Sequence, residues 1–319
     1  MKKVGIIGGS GYTGGELIRL VLHHPTLELD FVHSTTRPGT PLHDTHRDLL
    51  GSQAPDFTAT INPNVDVLFL CLGHGKSVGF LEKNHFSKNT VIIDLSNDFR
   101  LKKDMQFQDY DFVYGLPENQ REKIEKANAI ANPGCFATAI QLALLPLAKA
   151  GVIQEAIHIN ATTGSTGAGV GLSPTGHFSW RNNNVSWYKP FTHQHLGEIR
   201  ETLDNPKIYF LPQRGNFTRG IFASCYTYFD GELKKVIEMY KEYYKNHPFT
   251  HVSNNELTLK QVVNTNHCAL HLHQFEDKLL ITSVIDNLLK GASGQAIQNL
   301  NLIMGWNEEM GLQLKASVY

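Results

Sequence analysis

Cys135 stands directly after Asn132-Pro133-Gly134 and directly before a long apolar segment, 136–150. Pro133 and Gly134 break any preceding structure, so the helix that follows would carry the thiol in its first turn. There, exposed N–H groups and the helix macrodipole favour a thiolate and lower the thiol pKa. Cys71, Cys225 and Cys268 lie inside apolar strand-like runs, where burial favours the neutral thiol. Cys135 alone has the setting of a nucleophile. Asn132 offers a side-chain amide to an oxyanion or, alternatively, a cap to the helix. A nucleophilic thiol needs a proton partner, and "THQHLGEI" places His193 and His195 just ahead of a helical pattern. His195, nearer the helix start, is the preferred acid–base residue and His193 the alternative. A His-x-His pair also suits a metal, but no cysteine or carboxylate has the matching spacing, so no metal is expected.

A second constellation opens the chain. "GGSGYTGGEL", residues 8–17, fits a dinucleotide-binding turn in two registers, through Gly9, Gly11 and Gly14 or through Gly8, Gly11 and Gly14. Such a turn brings backbone close to a pyrophosphate and aims a helix N-terminus at its charge. Here the motif follows an apolar strand pattern and opens a helical one, the context it requires. The next strand ends in "HSTTR" and lacks the acidic residue that binds ribose hydroxyls in NAD sites. Ser34, Thr35 and Thr36 with Arg37 suit a 2'-phosphate, which favours NADP(H); the alternative is a solvated turn with one surface arginine. "TTGSTGAGVG", 162–171, reads either as a nest of backbone N–H groups for an anion or as a flexible interdomain loop.

These residues need elements to hold them. "KKVGIIGG", "LELDFVHS", "DVLFLCLG" and "TVIIDLS" read as buried strands, with helical spacing in residues 16–23 and 78–86. Strands alternating with helices predict an α/β, Rossmann-type doubly wound parallel sheet. After 150 the pattern changes. "AIHINATT", "KIYFLPQ", "RGIFASCYTYF", "LTLKQVV", "HCALHLHQF" and "LLITSVIDN" read as strands and 232–245 as a helix, giving a second α+β domain with a mostly antiparallel or mixed sheet. Residues 172–192 show no period and are rich in Asn, Ser and aromatics. "KGASGQAIQNLNLIMG" reads as a helix. The expected division is an NADP-binding domain at 1–134, with 290–319 returning to it, and a catalytic and dimerisation domain at 135–289.

Composition narrows the class. Of 319 residues 41% are hydrophobic, with 29 basic against 30 acidic, so no bulk field favours nucleic acid or an anionic membrane. No run of about 18 apolar residues is present to span a bilayer. Four widely spaced cysteines fit reduced thiols and a cytoplasmic location. A short-chain dehydrogenase would need lysine four residues beyond a tyrosine, and none of the 11 tyrosines has it.

The segments "GGSGYTGGEL", "DLSNDFRL", "YGLPE", "NPGCFATAIQLALLP", "HQHLGEI", "FTRGIF" and "DNLLKGASGQAIQNLN", in that order, resemble the N-acetyl-gamma-glutamyl-phosphate reductase family over nearly the whole chain. The resemblance implies an NADPH-dependent reduction of an acyl phosphate through a thioester on Cys135, with His193 or His195 managing protons. Reductases of aspartyl or aminoadipyl phosphates are the nearest alternatives, and a non-catalytic NADP-binding sensor is another. The expected cofactor set is Gly8, Ser10, Gly11, Tyr12, Thr13, Gly14, Ser34, Arg37, Gly73, Ser96, Ser165, Gly167 and Asn287. Arg100 and Arg219 are candidates for a substrate carboxylate or phosphate, or alternatively structural ion pairs. The partners expected are a small acyl-phosphate substrate and further copies of the chain, as a homodimer or homotetramer, with neither nucleic acid nor membrane. The chain departs from the family's usual "SGxSGAGR" loop, lacking its arginine and leading into an aromatic-rich insertion that would set which acyl group is recognised.

Overall fold

Val4 to Ile7 are buried in succession, as suits a strand covered on both faces, and Lys2–Ile7 forms the interior strand β1 of the first sheet. The computed structural model describes residues 1–318. The other strands of this sheet are β2 (Leu27–His33), β3 (Phe57–Thr58), β4 (Val67–Leu70), β5 (Val91–Asp94), β6 (Gln106–Phe107), β7 (Tyr110–Tyr114) and β8 (Ala129–Ala131), in the order β3-β2-β1-β4-β5-β8-β7-β6. All pairings are parallel except the hairpin β6–β7 at one edge. The helices of this part are α1 (Tyr12–Leu22), α2 (Ser77–Lys83) and α3 (Pro117–Ile124).

The second sheet comprises β9 (Ile157–Thr163), β10 (Ser186–Trp187), β11 (Ile208–Arg214), β12 (Ile221–Tyr228), β13 (Thr250–Ser253), β14 (Cys268–Phe275) and β15 (Lys278–Ile285), in the order β10-β11-β9-β12-β15-β14-β13. It is mixed: β9–β11 and β13–β14 run parallel, and the remaining pairs are antiparallel. Around it stand α4 (Cys135–Lys149), the single turn α5 (Phe178–Arg181), α6 (His195–Thr202) and α7 (Leu233–Tyr244). The doubly wound sheet and the mixed second sheet are those expected from the sequence.

The chain divides into two units. One contains Met1–Pro133 and Ala292–Gln313, the other Gly134–Gly291 and the described residues from Leu314 on. The expected return of 290–319 to the first domain is thus shorter: Ser317 N bonds Val263 O at 3.0 Å and Asn264 Nδ2 bonds Lys315 O at 2.9 Å, tying the last residues to the second unit. The returning helix α8 (Gly294–Ile303) is buried with its amides included. They have fixed work within the first unit: Asn299 donates to Gly115 O, Asn301 to Glu308 O and Met310 O, and Gln298 to Glu308. This is why "GQAIQNLN" carries polar residues where a buried helix would normally be aliphatic.

"LTLKQVV" is not a strand. Thr258 and Gln261 form a reciprocal capping box around a 3-10 turn, Leu259–Gln261, and its apolar side chains pack against Val284 and Phe222. Alternation of apolar residues imitated a strand where local side-chain bonds dictated a turn. In 172–192 the aperiodic stretch contains the turn Pro174–Gly176, α5 and the edge strand β10.

Helix α4 is buried from Phe136 to Leu147, although Pro146 interrupts its ladder. A proline has no N–H for the carbonyl four residues earlier, here Leu142 O. The Tyr244 hydroxyl of α7 donates to that oxygen at 2.5 Å, and Tyr240 donates to Ala143 O at 2.5 Å. Tyr244→Phe strands a buried carbonyl and should cost about 1–3 kcal/mol in denaturant unfolding; a loss within error would show that the carbonyl finds another donor.

Candidate active site

Helix α4 starts at Cys135, with Gly134 as its N-cap and no side-chain cap. The first rung is Thr138 N to Gly134 O at 2.8 Å, so the amides of Cys135, Phe136 and Ala137 lie outside the ladder and point past the helix end. Burial pushes Cys71 up to about 12 and Cys225 up as well, so these thiols are inert neutral groups. Cys135 and Cys71 are the two partly exposed thiols, and of these Cys135 stands at a helix start.

The histidine pair comes to this helix end. Gly134 has no side chain, and the imidazole of His195 lies in the space that a Cβ there would fill. His195 Nε2 is 3.9 Å from Glu198 Oε1, both groups being almost fully buried. Glu198 Oε2 accepts the Gly134 N–H at 3.0 Å, so one carboxylate orients the histidine and fixes the residue before the nucleophile. His193, also buried, accepts the His195 N–H on Nδ1 at 3.2 Å. Its ring stands edge-on to His195 at 4.6 Å and to Phe136 at 5.5 Å. His193 thereby holds the start of α6, and His195 is the imidazole placed against Gly134, the residue before Cys135.

From the other side comes the segment after β15. Asp286, fully buried, accepts from Arg219 Nε at 3.0 Å and Nη2 at 3.2 Å, and from the amides of Asn264, Leu288 and Leu289 at 2.7, 2.8 and 3.2 Å. Its carbonyl receives the Gly291 N–H at 2.9 Å. This knot brings Gly291 onto Cys135: a Cβ at 291 would lie 2.8 Å from the Cys135 Cβ. Glu198, Asp286 and Gly291 escaped the sequence reading. The His-x-x-Glu spacing of 195 and 198, one helical turn, was the signal available for the first.

Several expected roles change. Asn132 is not the helix cap, which is Gly134; its Nδ2 donates one bond to Ala292 O at 3.0 Å and its Oδ1 accepts from Asn299 at 3.1 Å. The expected nest at 162–171 does not form. The amides of Gly164, Ser165 and Thr166 bond Gly220 O, Phe217 O and Thr218 O, while Gly167 and Gly169 bond within the loop. Ser165 and Gly167 sit in that 3-10 turn, and the Asn287 amide is committed to Gly220 N and Thr166 Oγ1. Arg219 pairs with Asp286. Arg100 is 5% exposed and donates to Asn132 O and Leu95 O, so it braces its own unit.

In the first unit the cofactor candidates gather past the carboxyl ends of adjacent strands: Gly8 after β1, Ser34 and Arg37 after β2, Gly73 after β4 and Ser96 after β5. Gly8 takes φ +77, and a Cβ there would meet Cys71 O at 2.7 Å. Gly14 lets α1 close on Gly9, whereas a Cβ on Gly11 would meet only Gly8 O at 3.9 Å, leaving the turn open above it. Helix α1 has Gly11 as N-cap, with no side-chain cap and no acidic residue in its first turn. Ser10, Tyr12 and Thr13 stand at this helix end, which suits a pyrophosphate. Arg37 is exposed beyond β2. Ser96 is an exception: its buried hydroxyl donates to Asp94 at 2.6 Å and accepts from Asp98 N. Asp94 also accepts from Ser77, and Asp98 accepts the amides of Gly75, Ser77 and Val78 at the start of α2. "DLSNDFRL" is therefore a structural brace.

The family model for the semialdehyde dehydrogenase NAD-binding domain matches residues 3–127, and that for the semialdehyde dehydrogenase dimerisation domain matches 135–287. N-acetyl-gamma-glutamyl-phosphate reductase of Flavobacterium johnsoniae is 59% identical over 99% of both chains. That of Christiangramia forsetii is 56% identical over the full length of both. Among solved structures, aspartate semialdehyde dehydrogenase II of Vibrio cholerae superposes with a TM-score of 0.72 at 15% identity, covering 96% of this chain and 98% of that one. The aspartate semialdehyde dehydrogenase of Candida albicans with NADP gives 0.69 at 15% identity, covering 95% and 98%.

Gly134→Ala would drive a methyl into the His195 ring and Gly291→Ala one into Cys135, so each should slow alkylation of Cys135 by iodoacetamide at neutral pH by about tenfold or more, the equivalent of roughly 1.4 kcal/mol. Rates equal to that of the unaltered protein would show that the slot can widen. Asp94 gives a pH signature. Burial lifts its carboxyl to about 6 against the bonds from Ser77 and Ser96 and the charge of Arg100. The folded state then holds this proton more tightly than the unfolded chain. Its contribution of about 3 kcal/mol is full below about pH 4 and lost as pH rises through 6. The Tm of Asp94→Asn relative to the unaltered protein should therefore climb between pH 4 and 6 and then level off; a flat difference would contradict the assignment.

Proposed function

The chain belongs to the N-acetyl-gamma-glutamyl-phosphate reductase family, and from that membership we propose that it converts an N-acyl-gamma-glutamyl phosphate to the N-acyl-glutamate semialdehyde with NADPH, through a thioester on Cys135, as a step of arginine biosynthesis. The observation that carries this reading is the buried cluster at the start of α4, where a partly accessible thiol on a helix N-terminus has His195 and Glu198 packed against the preceding glycine.

The Cys135 thiolate attacks the carbonyl carbon of the acyl phosphate. Negative charge builds on the carbonyl oxygen, and the backbone amides at the α4 start stabilise it. The carbon–oxygen bond to phosphate breaks, inorganic phosphate leaves, and the acyl group remains on sulfur. When bound, NADPH would supply the hydride that reduces the thioester carbon. When the resulting tetrahedral species collapses, the carbon–sulfur bond breaks, the aldehyde departs and the thiolate is regenerated at the helix end. His195 holds the proton lost by Cys135 and exchanges it as charge moves, and Glu198 stabilises the imidazolium so formed. Gly8, Ser10, Gly11, Tyr12, Thr13 and Gly14 would hold the cofactor pyrophosphate, and Ser34 with Arg37 its 2'-phosphate. Gly73 adds open backbone beside them.

In this reading the first unit binds the cofactor and the second is catalytic and self-associating. The face of the second sheet bearing His158, Tyr209 and Tyr226 is exposed within the chain, with the His158 ring 5.2 Å from each tyrosine ring. An uncovered aromatic sheet face supports assembly with a second copy, as a homodimer or homotetramer. No helix among the described residues is long and apolar enough to cross a membrane. The location proposed is cytoplasmic, where reduced nucleotide is supplied.

Purified protein given phosphate, NADP and N-acetylglutamate semialdehyde should form reduced cofactor, with a higher kcat/KM than for aspartate semialdehyde and with NADP preferred to NAD. Cys135→Ser should lower kcat roughly 10³-fold or more. Preference for aspartate semialdehyde would overturn the substrate, and activity surviving in Cys135→Ser would overturn the thioester.

A further inference from the structure

The second unit contains a cavity of about 500 Å³ whose lining includes Trp180, Arg181, Trp187, Tyr188 and Arg214. Two guanidinium groups border it. Arg181 is only 7% exposed and donates to neutral acceptors: Arg214 O at 2.6 Å, Thr175 O and Asn184 O at 3.4 Å and Ser186 Oγ at 3.3 Å. Arg214 stacks 4.6 Å over the Tyr188 ring, while its buried Nε has no acceptor. Among the described residues, neither arginine has a carboxylate within ion-pair distance. Burial and the facing charge of Arg214 both depress the Arg181 pKa. Two cations held together without a countercharge cost stability unless an anion from outside the chain joins them.

Tyr188 connects this cavity to the reacting centre. Its ring stands 5.6 Å from that of His193 and 6.5 Å from that of Phe136, the residue after the nucleophile. Burial and the negative charge of Cys135 push its hydroxyl up to about 12, so it remains a neutral donor that feels the thiolate. Through Tyr188 the cavity adjoins the residues packed at the start of α4.

We propose that Arg181 and Arg214 form a carboxylate subsite for the end of the substrate remote from the reacting carbonyl. Arg214, with Nε unspent, makes the direct contact; Arg181, tied to the loop carbonyls, fixes the 172–192 segment and adds its field. The inference rests on the reductase reading. The carboxylate has two possible sources, the amino acid's own and one carried by the acyl group. Both are absent from the decarboxy analogue of N-acetylglutamate semialdehyde.

Arg214→Gln and Arg214→Lys are compared with the unaltered protein on three aldehydes: N-acetylglutamate semialdehyde, its N-succinyl counterpart and the decarboxy analogue of the first. In Arg214→Gln the kcat/KM ratio of acidic aldehyde to decarboxy analogue should fall about tenfold or more through KM, with partial recovery in Arg214→Lys. A fall shared by both acidic aldehydes assigns the amino acid's carboxylate, and one confined to the succinyl compound assigns the acyl carboxylate. An unchanged ratio for both overturns the subsite and leaves the reductase reading standing; that reading fails separately if the unaltered protein turns over none of the three. A measurement on the unaltered protein covers variants that misfold. Glutarate should slow alkylation of Cys135 by iodoacetamide several-fold more than neutral glutaramide does, and equal rates with the two overturn the subsite.

Discussion

The reacting end of the second unit depends on two side chains that are not there. Gly134 leaves the space occupied by the His195 imidazole, and Gly291 lets the chain after β15 touch the Cys135 Cβ. The start of α4 is thus held between the His195 imidazole and a segment of backbone, with its position set by close packing. Each wall has its own anchor. Glu198 bonds the Gly134 amide and faces His195, whereas Asp286 gathers Arg219 and three amides into the turn that delivers Gly291.

This slot requires that α4 not move. A helix buried along most of its length and broken by Pro146 would be a weak support if its loosened carbonyls had no donors. Two tyrosines of α7 supply them, at Leu142 and Ala143. Gln141, also buried, donates to Glu198 O and Thr202 Oγ1, locking α4 to α6 one turn behind the histidine. The polar residues of this core are bonds between elements, placed where a purely aliphatic core would allow the helices to slide.

Strand periodicity, the glycine turn and the proline-glycine break before Cys135 were legible in the sequence because each acts locally. Gly8, with φ +77, and the apolar run after Cys135 dictate structure within a few residues of themselves. What stayed hidden depends on partners distant in the chain. Asn132 looked like a donor aimed at chemistry until Asn299, 167 residues away, was seen to hold it. The segment 164–169 looked like an anion nest because composition cannot reveal that residues 217–220 take the amides of Gly164, Ser165 and Thr166. "LTLKQVV" alternates as a strand does, and only the pairing of Thr258 with Gln261 turns it. Arg219 and Asp286, neutral as a pair, gave no sign in sequence of being one.

Two buried carboxylates bonded around the start of α4 pose an electrostatic difficulty for the proposed thiolate, since negative charge nearby opposes a second negative charge. The bonding pattern resolves it. Asp286 is compensated by a bidentate guanidinium and three backbone amides, so little of its field is left uncancelled. Glu198 spends one oxygen on the Gly134 amide and turns the other toward His195, whose protonated form it would stabilise. The unladdered amides of α4 present a positive sign at the helix start. A protonated His195 adds to it. The same carboxylates hold in place the Gly134 amide and the turn that carries Gly291. That explains why both sit fully inside the protein, where their partners can be fixed and water cannot replace them.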